Sequence, residues 1–128
     1  MDNINVLIYV ESRYKVSRKK IKSAIFSVCE ENKITSPVEV SVAVVGDRKM
    51  ASLNKKYRGK EGTANILTFP LSEGDATPSV SGKEKLGDIV ISYPQVIRDA
   101  AAEEILVDSR VEELARHGMM HLLGLHHE

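Results

Sequence analysis

The chain has 128 residues, 42% of them hydrophobic and 28% charged, and its 18 Lys/Arg are balanced by 18 Asp/Glu. That length fits one domain with a single core that needs no disulfide or metal staple. The lone cysteine, Cys29, excludes an internal disulfide framework and suits a reducing compartment; no apolar run approaches the roughly 20 residues of a membrane span, and the apolar run at residues 3–10 lacks the basic flank of a signal peptide, so a cytoplasmic location is expected.

In chain order, residues 5–10 (Asn-Val-Leu-Ile-Tyr-Val) read as a strand. A helix is expected over 17–31, because Ser17 can cap its first turn and Ile21, Ala24, Ile25, Val28 and Cys29 recur at helical spacing. On that face Cys29 is a small core residue rather than a nucleophile. Residues 38–45 alternate and are rich in valine, which predicts a second strand. Gly46-Asp47 opens a helix that reaches about residue 57, with Asp47 as its N-cap. A third strand over 65–69 is closed by Pro70. Residues 71–85, rich in Gly, Ser, Pro and charge, read as a mobile loop. A fourth strand covers 86–92, a helix with Pro94 in its first turn follows over 93–104, and a last helix spans about 108–123. Helices and strands thus interleave around one sheet of about four strands.

The zero net charge hides an asymmetry. Residues 1–60 hold 13 Lys/Arg against 6 Asp/Glu, a net of +7; residues 61–128 hold 5 against 12, a net of −7. The cations form two clusters. Arg13, Lys15, Arg18, Lys19, Lys20 and Lys22 surround the start of the first helix, and Arg48, Lys49, Lys55, Lys56, Arg58 and Lys60 lie on and after the second. A polyanion such as RNA is attracted to faces of this kind; a solvated helix surface is the plainer reading.

All four histidines fall in the last twelve residues: His117, His121, His126 and His127. His117 and His121 are four apart and share a helix face. Gly124 can end the helix by taking φ > 0, which lets the chain return a third ring. His126 and His127 compete for that place, and the spacing H-x3-H-x2-G-x2-H favours His127. Three neutral imidazoles on one point suit a divalent transition metal, zinc first, with nickel or manganese as alternatives, and leave a coordination position open, as catalytic sites do. The ligand spacing is that of the metzincin proteases, but Gly118 stands where those enzymes carry their glutamate base. The metal geometry is kept and the protease chemistry is missing.

H-G-x-x-H-L-L-G-x-x-H at the end of a small α/β domain resembles the YbeY family of bacterial rRNA maturation factors. Leu53-Asn54 and Tyr57-Arg58 are similar to that family's L-N-x-x-Y-R. The run from Ala64 to Pro70 resembles its T-D-V-L-S-F-P, and the run from Leu86 to Ser92 its L-G-D-I-x-I-S. The motifs keep the family's order from Leu53 to the end. The resemblance implies a single small α+β domain over residues 1–128, with a mixed sheet of about four strands packed with about four helices and a zincin-like metal site at the C-terminal helix. It implies a zinc-dependent, single-strand-specific endoribonuclease that matures the 3′ end of small-subunit rRNA and serves ribosome quality control. Partners would be rRNA and small-subunit particles, with ribosomal proteins or assembly GTPases beside them, and neither DNA nor a membrane.

Residue by residue, the resemblance makes His117, His121 and His127 the metal ligands and Arg58 the cleft arginine, whose planar fork can clamp phosphate oxygens and stabilise developing charge. The chain departs from the family at two acids. Asn65 stands for Asp, which keeps hydrogen bonding but loses charge. His126 also stands for Asp, as a candidate to orient a ligand or contact substrate. Asp88, in the turn into the fourth strand, is a third candidate beside the site, with a structural role favoured. Two other readings stay open: a ribosome-assembly binding factor whose metal is structural, and a metalloprotease, against which Gly118 argues.

Overall fold

The computed structural model describes residues 3–71 and 82–125. Within them the elements run β1 (Ile4–Val10), α1 (Arg18–Glu31), β2 (Val38–Val45), α2 (Asp47–Arg58), β3 (Ile66–Pro70), β4 (Glu84–Ser92), α3 (Tyr93–Glu103) and α4 (Val107–Leu122). The strands form one sheet in the order β1-β2-β4-β3. β1 and β4 run parallel to β2, and β3 runs antiparallel to β4, so the sheet is mixed and β3 is an edge. The parallel pairing of β1 with β2 follows from α1, the crossover helix that carries the chain back. This is the small α+β architecture that the sequence pointed to.

Alternation along the strands sorts the core into two parts. Val38, Val40, Val42 and Val44 of β2 and Ile89 and Ile91 of β4 face one side. There they join Ile21, Ile25 and Val28 of α1 and Val111, Ala115 and Met119 of α4 in the main cluster. On the other face Val45, Leu67 and Val90 pack under Met50 of α2. Cys29 is fully buried in the main cluster, and that burial pushes its thiol up from its ordinary value, so it is packing rather than chemistry.

The cap of α1 is built as the local sequence dictates, and that of α2 is not. The Ser17 side chain accepts a hydrogen bond from the Lys20 amide, as expected. Asp47, expected as the N-cap of α2, is instead its first helical residue, and Gly46 is the cap. The Asp47 carboxylate is engaged elsewhere: it accepts from the Ser92 hydroxyl at 3.2 Å and pairs with Arg98 at 3.3 Å, tying the start of α2 to that of α3. Ser92 in turn caps α3 by accepting from the Gln95 amide. β4 starts at Glu84, two residues earlier than its composition predicts. Glu84 and Lys85 are poor strand residues, but they pair with Val38 and Glu39, and ladder pairing overrides propensity. Of the loop expected over 71–85, residues 72–81 lie outside the described residues.

Two glycines set how closely the layers approach. Lys85 faces Glu39 and Gly87 faces Val40, which leaves Leu86 as the extra residue of a bulge in β4. Gly87 takes φ +147°, and a Cβ there would press on the Phe69 carbonyl and lie 2.9 Å from Leu122 Cδ2. Gly118 of α4 is buried against β4; a Cβ at that position would sit 2.9 Å from Cγ2 and 3.1 Å from Cδ1 of Ile89. Ile89 is itself fully buried and β-branched, and so has little room to yield. In an ordinary helix interior Gly→Ala gains about 1 kcal/mol from propensity. Here overpacking costs about 1–3 kcal/mol, so Gly118→Ala is expected to lower the unfolding free energy by roughly 1 kcal/mol in a denaturant titration. A gain in stability would show that α4 is free to move off the sheet.

Candidate metal centre and its cleft

α4 presents Val111, Leu114, Ala115, Gly118, Met119 and Leu122 to the core, the spacing of one helix face. His117 and His121 fall on the flank of that face, His117 exposed and His121 half-buried. Their ring centroids are 4.5 Å apart with the planes tilted by 52°. The helix ends as its glycine predicts. Gly124 takes φ +78°, its amide donates to the His121 carbonyl at 3.0 Å, and the Leu125 amide donates to the Met120 carbonyl at 2.8 Å, the paired bonds of a Schellman motif.

The turn before the histidines is pinned to α1. Arg116 donates to the Ser27 hydroxyl at 2.9 Å and to the Glu31 carboxylate at 2.8 Å. The hydrogen bond from Arg116 is the main reason that the Glu31 carboxyl lies below its ordinary range, with the Ser27 hydroxyl and the guanidinium charge adding to it. The main chain beside His117 is therefore held from two sides, by the Gly118 contact with the sheet and by this clamp.

Both histidines open into a cleft of about 420 Å³ that they line with Tyr57, Arg58, Ile66, Leu67, Thr68 and Phe69. The cleft lies along the edge strand β3. α4 bounds it from the main-core side, and the last turn of α2 reaches it from the other. α2 is anchored by its buried Met50 and Asn54, and the Asn54 side-chain amide donates to the Gly62 carbonyl at 3.1 Å, holding the loop that follows. The helix stops at Gly59, which takes φ +65°. Lys55, Lys56 and Arg58 occupy its last turn, where cations suit the negative end of the helix dipole. The Tyr57 ring meets that of Phe69 edge-on, with centroids 5.1 Å apart.

The structure thus brings three of the sequence-predicted residues, Arg58, His117 and His121, to one cleft. It puts Asp88 elsewhere. That carboxylate accepts a hydrogen bond from Ser41 and pairs with Lys85 at 3.5 Å, and it pairs in register with Phe69 and Ser41, on the strand positions that alternate away from Ile89 and the histidine helix. Asn65 is half-buried just before β3, and its carbonyl accepts from the Ser92 amide at 3.0 Å. His126 and His127 lie outside the described residues. Among the described residues no three metal-ligating side chains converge; His117 and His121 bring two imidazoles to a centroid separation of 4.5 Å. Sequence reasoning had not placed Thr68 or Phe69 at the site, and had quoted Tyr57 only as part of a motif. An exposed aromatic beside an arginine at a helix end was the available signal.

The two basic clusters separate in space. The one around the start of α1 follows β1, at the sheet edge opposite to β3. Of the last-turn cations of α2, Arg58 lines the cleft, while Lys55 pairs with Glu61 at 3.8 Å. Among the described residues no helix is long and apolar enough to cross a membrane.

Comparison with known proteins bears on the family and the fold. The family described as Endoribonuclease YbeY matches residues 8–128. An Endoribonuclease YbeY from Azoarcus sp. is 40% identical over 95 residues, covering 74% of this chain and 38% of that protein. One from Thermodesulfovibrio yellowstonii is 38% identical over 128 residues, covering 94% of this chain and 78% of that protein. The chain therefore spans well under half the length of the first relative and most of the second. The solution structure of TM1509 from Thermotoga maritima superposes with a TM-score of 0.60 at 26% identity, over 96% of this chain and 75% of that one. The Arg58 and histidine motifs both fall inside the matched span, and the chain belongs to the YbeY endoribonuclease family.

Proposed function

We propose that this chain is a zinc-dependent endoribonuclease that cleaves single-stranded RNA in the cytoplasm, maturing the 3′ end of small-subunit rRNA and serving ribosome quality control. The observation that carries the reading is the convergence of Arg58 with His117 and His121 on one open cleft. The name shared by its relatives supports the reaction class. His117, His121 and His127 would hold the metal, with nickel or another divalent transition ion as the alternative. The chemistry that such an ion supplies when bound is Lewis-acid polarisation of a phosphoryl oxygen.

The rest falls to the chain's own residues. Arg58, exposed at the end of α2, can grip the scissile phosphate with its fork of N–H donors and stay charged throughout. The neighbouring Lys55 and Lys56 add attraction for the RNA backbone, which makes binding salt-dependent. β3 forms the floor, and its edge position keeps the cleft open to a long polymer. Gly118 cannot host a base, because it is pressed on Ile89; the proton released by the attacking hydroxyl, from water or the RNA's own 2′ position, therefore goes to another group, for which His126 is the candidate. His126, Asn65 and Asp88 are proposed as supporting residues, Asp88 through the sheet rather than by contact with the metal. The partners proposed are rRNA and small-subunit particles, with ribosomal proteins or assembly GTPases beside them.

Two measurements test this. His117→Ala is expected to weaken zinc binding more than about 100-fold in a competition titration, beyond the 10–100-fold cost of losing an outer partner of a ligand; unchanged affinity would remove the histidine pair from the metal site. Purified protein is expected to cleave a labelled precursor of the small-subunit rRNA 3′ end, and His121→Ala prepared in parallel to leave it intact. Equal cleavage by both, or none by either, would favour an assembly factor with a structural metal.

A further inference from the structure

Tyr57 is 57% exposed and lines two clefts. One is the histidine cleft. The other, about 350 Å³, lies on the opposite sheet face and is lined by Tyr57 and Phe69 together with Ser41, Ala43, Leu53 and Asp88. The ring already rests edge-on against Phe69, centroids 5.1 Å apart, a contact that narrows its freedom and so lowers the side-chain entropy a stacking partner must remove. Lys56 Nζ stands 5.1 Å from the ring centroid, and Arg58 follows in sequence.

We infer that Tyr57 is a stacking platform for a base of single-stranded RNA, and that the cleft beyond it receives the base of a nucleotide next to the phosphate held at Arg58. This rests on the ribonuclease reading above. The lining favours a base over a backbone phosphate. Ala43, Leu53 and Phe69 offer apolar walls to a flat heterocycle. The polar part is a carboxylate, Asp88, bonded by Ser41 and paired with Lys85; it can accept from a base N–H and disfavours a second phosphate. Cations on both sides of Tyr57 in the chain supply the phosphate contacts. Stacking of this kind tolerates any sequence, because every base has a π-face.

The test is the affinity of the zinc-loaded full chain for an unstructured, fluorescently labelled 2′-O-methyl RNA, read by anisotropy over a range of salt. Tyr57→Ala is expected to weaken binding about 5- to 100-fold, and Tyr57→Phe, which keeps the ring, to stay within about twofold of the unmodified chain. The slope of log affinity against log salt should be the same for all three, since the phosphate contacts are kept. An abasic oligonucleotide of equal length should bind the unmodified chain and Tyr57→Ala alike. Tyr57→Ala binding within twofold of the unmodified chain, a Tyr57→Phe loss as large as that of Tyr57→Ala, or a changed salt slope that accounts for the loss would each overturn the inference. RNA cleavage is scored separately. If the unmodified chain cleaves nothing while Tyr57→Ala still loses base-dependent binding, the ribonuclease reading falls and the platform stands; if it cleaves while Tyr57→Ala binds normally, the platform alone falls.

Discussion

Helix α4 lies against the sheet at van der Waals contact because residue 118 has no side chain. The Ile89 methyl groups occupy the space that a Cβ would need, and at the next turn Leu122 reaches the bulged backbone at Gly87. Those two contacts set the height of the helix above β4. Height and helical phase together decide where His117 and His121 point. With the helix this low, the flank carrying the two rings overhangs the edge strand β3 and opens into a cleft. The same contact closes off the position after His117 to any acid, so the feature that seats the histidines also separates this site from a metalloprotease.

The cleft is assembled from both sides of the sheet. α4 brings the imidazoles from the main-core face. α2, packed on the opposite face through Met50 and Asn54, brings Tyr57 and Arg58 to the same edge. Neither helix could supply both halves: neutral imidazoles suit a metal, whereas the basic last turn of α2 suits an anionic polymer. The Arg116 clamp to Ser27 and Glu31 completes the picture by tying the histidine turn to α1.

What the sequence made legible follows from how local each signal is. The Ser17 cap, the helical spacing of Ile21 to Cys29, the valine strand over 38–45 and the Gly124 stop depend on neighbours a few positions away, and the structure has them as expected. The Asp47 expectation failed because a tertiary partner, the Ser92 hydroxyl with Arg98 behind it, took the carboxylate from the helix end. β4 began early because pairing with β2 carried two charged residues into the ladder. For the site, the histidine spacing was readable in the chain, and the nearness of Arg58 was available only through resemblance, since it arises from an edge strand placed between α2 and α4. The absence of a base at Gly118 could be read from the letters alone; that it marks a contact with Ile89 could not. The second cleft beside Tyr57 had no local signature, because four elements of the fold contribute to it.

The central claim is that the cation from α2 and the histidine pair from α4 act on one phosphate. The most direct measurement is the single-turnover rate of RNA cleavage by Arg58→Ala, loaded with zinc to the same stoichiometry as the unmodified chain. The account predicts a rate lower by about 10²–10³-fold, the usual cost of removing one donor to transition-state charge, with metal content unchanged. A full rate at full metal content would contradict it, and would mean that the two sides of the cleft do not work on the same group.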